Sequence, residues 1–228
     1  IFSDLPNDAN KAVAERLGEN SNALWGDITQ PQFLESSIAQ ADAIIHLAVI
    51  LPPVSENFPE LARKVNVEAT KKLVDMAAQQ EKPPVFIFPS SVTVFGYQQH
   101  KPAPRTIDED IIGTDNYTSS KVECEAYIKE SGVPFIICRI GVSIDSRTTR
   151  TDLATLKQLL ATKADNRMEY VHPNDIATAL TNAIGNEAAV GKTLLLGGGE
   201  SCQVKQLEFI RVVFGSAGIN VPESLLGN

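Results

Sequence analysis

The chain is poor in the residues that would staple it or load it with metal. It has three cysteines, Cys124, Cys138 and Cys202. An odd number without metal-ligand spacing excludes a complete disulfide framework and a cysteine zinc site, and fits reduced thiols in a cytoplasmic protein. No apolar run approaches the roughly 18 consecutive positions of a membrane span. Positive charge is also scarce. Twenty Lys and Arg against 28 Asp and Glu leave a net charge of −8, which argues against nucleic acid or an anionic membrane as the main partner. A small-molecule partner is expected instead. Glycine is present, but no glycine-rich phosphate loop stands between a first strand and a first helix. Gly197-Gly198-Gly199 is a tempting substitute that fails at its third glycine, where Cys202 stands. It reads as a turn. What is there is ordinary for a soluble globular protein, at 43% hydrophobic and 21% charged residues.

Short apolar runs alternate with helical patterns. Strands are expected at 43–49, 85–88, 134–139 and 193–196, whose near-continuous hydrophobicity suits burial on both faces of a parallel sheet. Helices are expected at 31–41, 61–80, 117–131, 175–184 and 203–214. Strands alternating with helices indicate βαβ units and an α/β, Rossmann-like, doubly wound parallel sheet. The proline-containing stretches 51–59 and 100–115 read as loops that follow strand ends, where ligands bind in open α/β sheets. Ile1-Phe2-Ser3-Asp4 reads as the tail of a strand, so the sequence is expected to begin inside a fold.

Tyr117 and Lys121 lie four apart on an expected helix and therefore share a face. A free phenol, with a pKa of about 10, is a poor acid–base catalyst near neutrality. A neighbouring ammonium favours the phenolate. Ser91, 26 residues earlier at the end of an apolar run, can hold a substrate oxygen. The three groups together could move a proton on or off an alcohol oxygen while a hydride leaves or arrives. Asp4, at the end of a strand, is suited to bind ribose hydroxyls and to repel a 2′-phosphate, favouring NAD over NADP. His46 is expected to be packed, Cys124 buried and unreactive, and His172 and Asp175 to organise a helix start. Arg139 is expected to meet a carboxylate near the core, with no partner legible.

Six ordered blocks resemble one family, the extended short-chain dehydrogenases/reductases, or NAD-dependent epimerases/dehydratases. Tyr117-x-x-x-Lys121 is one. Gly26-Asp27-Ile28-Thr29 resembles its G-D-L/I-T/R, and Asp42 to Ala48 its D-x-V-I/F-H-L-A. Asn66-Val67-Glu68-Ala69-Thr70 resembles N-V-x-G-T with Ala69 for Gly. Pro89 to Gly96 resembles S-S-S-x-x-V-Y-G, with Pro89 for Ser and Phe95 for Tyr. Tyr170 to Ala177 resembles F-V-H-V-x-D-V-A. The resemblance implies Tyr117 as acid/base, Lys121 as the group that lowers its pKa and holds the nicotinamide ribose, and Ser91 as the group that orients the reacting oxygen. It implies that Leu47, Ala48 and Val49 line the pyrophosphate and ribose, that Asp27 and Ile28 contact adenine, and that Pro89, Ile140 and Val142 lie beside the cofactor. Ile140 replaces the family's usual proline.

The resemblance also implies residues 1–140 as an NAD(P)-binding core whose first βα unit and glycine loop lie upstream of Ile1. Residues 141–228 would be a small substrate-side region with closing Rossmann elements. The expected activity is reversible hydride transfer at a hydroxyl-bearing carbon of a sugar nucleotide or related alcohol, in a cytoplasmic homodimer joined through helices 61–80 and 117–131. No metal is expected. The alternative is a cofactor-sensing, non-catalytic regulator on the same fold.

Overall fold

The structure, a computed structural model, describes residues 1–18, 22–98, 100–144, 163–215, 218 and 220–221. Its centre is a parallel sheet of four strands. These are β3 (Ala43–Ile45), β4 (Val85–Ser91), β5 (Phe135–Ile140) and β8 (Lys192–Leu196), in that spatial order. Successive side chains of a strand point to opposite faces, and both faces here are apolar. Phe86 and Phe88 of β4 and Ile137 of β5 pack against three helices on one side: α2 (Pro31–Ile38), α5 (Thr70–Ala78) and α6 (Asn116–Glu130). Ile87, Ile136 and Cys138 face the other side, against Leu180 and Ala183 of α7 (Pro173–Ala183). Each fully buried Phe or Ile of this kind contributes about 2 kcal/mol. Helices on both faces of a parallel sheet make the doubly wound fold expected of the pattern.

A second parallel pair, β1 (Phe2–Asp4) with β2 (Ala23–Trp25), flanks α1 (Asp8–Arg16). It is tied to the main body through α2, whose Leu34 and Ile38 enter the large core. A third sheet joins β6 (Val142–Ser143), β7 (Arg167–Val171) and β9 (Gln203–Lys205). Here β7 pairs parallel to β6 and antiparallel to β9. Pairing with β7 makes 203–205 a strand, so the helix expected from 203 starts only at Gln206, as α8 (Gln206–Gly215).

The expected helix 61–80 begins earlier and is interrupted. Pro59 opens α4 (Pro59–Arg63) at a first-turn position that lacks nothing by losing its N–H. Lys64–Ala69 is then wound as a π-helix before α5 resumes. Such bulges collect at functional sites, and this one turns Asn66 inward. Its Oδ1 accepts from Ile50 N at 2.7 Å and its Nδ2 donates to Ile50 O at 3.0 Å. The expected loop 51–59 contains one helical turn, α3 (Val54–Asn57).

The glycine triplet is a packed turn. A Cβ on Gly197 would collide with the Glu169 carboxylate, and one on Gly198 with Tyr170 O and Cys202. Gly199 has φ +84°, a left-handed conformation that suits glycine. Glu169 closes the turn by accepting from Gly199 N at 3.0 Å and Gln203 Nε2 at 3.1 Å.

Candidate active site

One stripe of α6 grips the end of β4. Tyr117, Lys121 and Glu125 are spaced by four and face the same way. They meet three consecutive β4 residues. The Ser91 hydroxyl stands beside the Tyr117 phenol, near enough to lower its pKa. Lys121 Nζ donates to Pro89 O at 2.7 Å. Ser90 Oγ donates to Glu125 Oε1 at 2.6 Å. Ser91 Oγ already accepts from Thr93 N at 3.2 Å and from Thr93 Oγ1 at 2.8 Å. Ser91, Tyr117, Lys121 and Pro89 are thus brought together at the end of β4.

The helix start is strongly fixed. Asp115 caps it by accepting from Thr118 N at 2.7 Å, and Thr118 Oγ1 accepts from Asp115 N at 3.0 Å, a reciprocal capping box. Two more first-turn amides are held from outside. Glu56 of α3 accepts from Asn116 N at 3.1 Å and from Tyr117 N at 3.3 Å.

The electrostatics differ from expectation in one respect. Burial lowers the Lys121 ammonium to about 8. It lies 4.4 Å from the Phe88 ring centroid and 5.9 Å from that of Tyr117. Burial pushes the Tyr117 phenol up, the Ser91 hydroxyl pulls it down, and Asp115 adds a smaller upward push. The expected lowering by Lys121 is not among these causes. Ser91 is the group here that favours the phenolate.

Arg139 finds its carboxylate. Its Nε and Nη2 grip both oxygens of Glu125, at 2.9 Å for the shortest contact. Glu125 is 0% exposed and Arg139 2%. Arg139 Nη1 also donates to Ile107 O at 3.3 Å, and the guanidinium lies 5.1 Å from the Phe95 ring centroid. The sequence reading missed Glu125. Its spacing from Lys121 was the available signal, but spacing alone does not separate a buried anion from a solvated one. Glu56 and the Asn66 clamp were missed too, since both act across more than a dozen residues.

The bland expectations hold for two groups. His46 is buried and pushed down to about 3, so it is neutral. Thr70 Oγ1 gives its proton to Asn66 O, so His46 Nε2 is the donor in their 2.8 Å contact. Burial raises the Cys124 thiol to about 11, which makes it inert.

The remaining candidates for cofactor contact sit at strand ends, where ligands meet open α/β sheets. Asp4 closes β1, with Oδ1 accepting from Leu5 N at 2.7 Å. Gly26 N donates to Asp4 O at 3.0 Å and leads to Asp27, whose Oδ1 accepts from Thr29 N at 2.8 Å. Ile28 packs partly buried against the large core. Leu47, Ala48 and Val49 follow β3, with Leu47 and Ala48 exposed. Ile140 ends β5, and Val142 is exposed in β6. No hydrogen bond joins the Asp4–Asp27 group to the Ser91–Tyr117 group among the described residues.

Comparison with known proteins bears on the family and the fold. A protein named as an uncharacterized UDP-glucose epimerase from Bacillus subtilis is 27% identical over 188 residues, covering 75% of this chain and 58% of its own. D-erythronate dehydrogenase from Haemophilus influenzae is 30% identical over 126 residues, covering 54% and 39%. The chain therefore spans 58% and 39% of the length of these two curated relatives. A crystal structure of UDP-glucuronic acid 4-epimerase from Bacillus cereus, in complex with UDP-glucuronic acid and NAD, superposes with a TM-score of 0.75 at 17% identity. It covers 96% of this chain and 72% of that one. At that identity the likeness is one of fold. The family model for the NAD dependent epimerase/dehydratase family matches residues 2–197, and the chain belongs to that family.

Proposed function

We propose that this protein is an NAD-dependent oxidoreductase or epimerase that works by reversible hydride transfer at a hydroxyl-bearing carbon, of a sugar nucleotide or a related alcohol. The observation that carries the reading is that Ser91, at the end of a buried parallel strand, stands beside Tyr117, with Lys121 one helical turn away, anchored on Pro89 O and 5.9 Å from the Tyr117 ring centroid. The relatives named for UDP-glucose and D-erythronate support a hydroxylated substrate.

The donor set suits a dinucleotide. Asp4 offers a carboxylate whose second oxygen has no partner among the described residues. Lys121 spends one of its N–H groups on Pro89 O, leaving others for ribose hydroxyls. Asp4, Asp27, Ile28, Leu47, Ala48, Val49, Pro89, Ile140 and Val142 are the proposed contacts. These residues would hold NAD, which would supply the hydride acceptor. Tyr117, as phenolate, takes the hydroxyl proton as the hydride leaves and gives it back on reversal. Ser91, beside Tyr117, favours that phenolate and lies next to the reacting oxygen. Lys121 adds positive charge where negative charge develops. An acidic Asp4 disfavours a 2′-phosphate, so NAD is preferred to NADP.

Residues 1–140 are proposed as the cofactor-binding part and 141–228 as substrate-side and closing elements. No described helix is long and apolar enough to cross a membrane, and reduced thiols support a cytoplasmic location. A homodimer through α4, α5 and α6 is supported by a groove of about 260 Å³ between α4 and α6, lined by Pro59, Arg63, Asn116 and Glu123, and by the exposed Leu61 of α4. The test is NADH formation from NAD with UDP-glucose, UDP-glucuronic acid and D-erythronate, with product analysis alongside. Net NADH means oxidation, and a changed sugar without NADH means epimerisation. If Tyr117→Phe leaves the activity unchanged, the assignment of Tyr117 as acid/base fails.

A further inference from the structure

The segment between β3 and α4 is pinned at both ends to the two elements beside it. At one end Asn66, on the π-wound turn, holds Ile50 by both its N–H and its C=O. At the other end Glu56 accepts from the backbone N–H groups of Asn116 and Tyr117. The carboxylate is itself oriented: Ser55 Oγ donates to Glu56 Oε1 at 2.9 Å, and Asn116 Nδ2 reaches Ser55 O at 3.4 Å. Ser55 is 0% exposed, so this end is seated. Between the pins, Leu51 and Val54 stand 54% and 45% exposed. The strap thus presents an apolar surface while its far end grips the amide of Tyr117.

We propose that Glu56 is a positioning residue: it fixes the first turn of α6 so that Tyr117 meets Ser91, and couples that alignment to the strap 50–56. The physical argument concerns which amides are spoken for. The first four N–H groups of a helix have no partner within it. The capping box serves Thr118 N and Asp115 N, and Ser119 N makes the first bond within the helix, to Asp115 O at 2.9 Å. Only Glu56 serves Asn116 N and Tyr117 N among the described residues. Lys121 lies one turn deeper and is anchored independently on Pro89 O. Loss of Glu56 therefore frees the tyrosine end of the stripe and spares the lysine end. Misplacement of a reacting group by about 1 Å can cost about 100-fold in rate.

This inference rests on the proposed role of Tyr117, but its test does not need turnover. The ring signal of Tyr117, in protein labelled at tyrosine and assigned by its disappearance in Tyr117→Phe, reports the Ser91 contact by NMR. Ser91→Ala sets the shift that loss of the contact produces. Glu56→Ala is expected to move the Tyr117 signal in the same direction, and Glu56→Gln, which keeps one acceptor oxygen, to move it part of the way. Amide exchange at 116 and 117 is expected to rise, while NAD affinity holds and kcat falls about 10- to 100-fold. A Tyr117 signal and kcat at wild-type values, with faster exchange at 116 and 117, would reduce Glu56 to a cap and overturn the proposal. Should Tyr117→Phe keep full activity while Glu56→Ala still shifts the ring, the catalytic reading fails and the positioning claim stands.

Discussion

At the scale of single residues, the site is a compromise between chemistry and burial. Lys121 is 6% exposed and its ammonium is lowered from 10.5 to about 8 by desolvation. A folded pKa below the unfolded one means that the folded state binds fewer protons between those two values. The cost of burying the charge, about 3 kcal/mol, is fully present below pH 8 and is relieved as pH rises from about 8 to 10.5. Lys121→Met is therefore expected to be more stable than wild type at pH 7, by about 1 to 3 kcal/mol, and inactive. The two proteins should converge as pH rises toward 10.5. Urea unfolding of both across that range checks this. The positions of Tyr117, Lys121 and Ser91 were legible because a helix spacing of four and a strand end fix them locally. Their electrostatics were not. Whether the ammonium faces the phenol or a carbonyl depends on how α6 lies across β4, and Pro89 O decided it.

At the scale of elements, the joint between α6, β4 and β5 depends on a buried ion pair. Glu125 and Arg139 sit on different elements, and Ser90 completes the set. Removing one partner strands a buried charge. Arg139→Met is expected to cost about 3 to 5 kcal/mol, and adding Glu125→Met to recover part of it. Denaturant midpoints of the two single variants and the double variant measure the coupling. The glycine turn makes a sharper local statement. Gly198→Ala places a methyl against Tyr170 O and Cys202 and is expected to destabilise by about 2 kcal/mol, with NAD affinity unchanged. A loss of NAD affinity at unchanged stability would restore a phosphate role to the triplet. The sequence pattern showed the four main strands well, because each is apolar on both faces. It hid α3, since Pro52-Pro53 reads as a breaker, and it hid the π-wound turn. That turn exists because Asn66 is drawn to Ile50, a pairing no period reveals.

At the scale of the whole molecule, the alternation of strands and helices was enough to read a doubly wound sheet. It did not reveal that β1 and β2 form a pair separate from the four-stranded sheet, since strand order is set by crossovers and not by composition. The proposed dimer makes a prediction at this scale. Leu61 of α4 is 48% exposed, and a groove lies between α4 and α6. Leu61→Glu is expected to convert a dimer to a monomer in sedimentation, with thermal stability falling when dimer contacts are lost. A wild-type monomer would refute the dimer through α4, α5 and α6. The central claim is narrower and rests on the tyrosine. NADH formation or sugar interconversion by wild type and Tyr117→Phe, measured at saturating NAD with the Kd for NAD determined for each, tests it directly. The account expects turnover to drop by about 100- to 10,000-fold at an unchanged Kd. Equal turnover in the two proteins would contradict it.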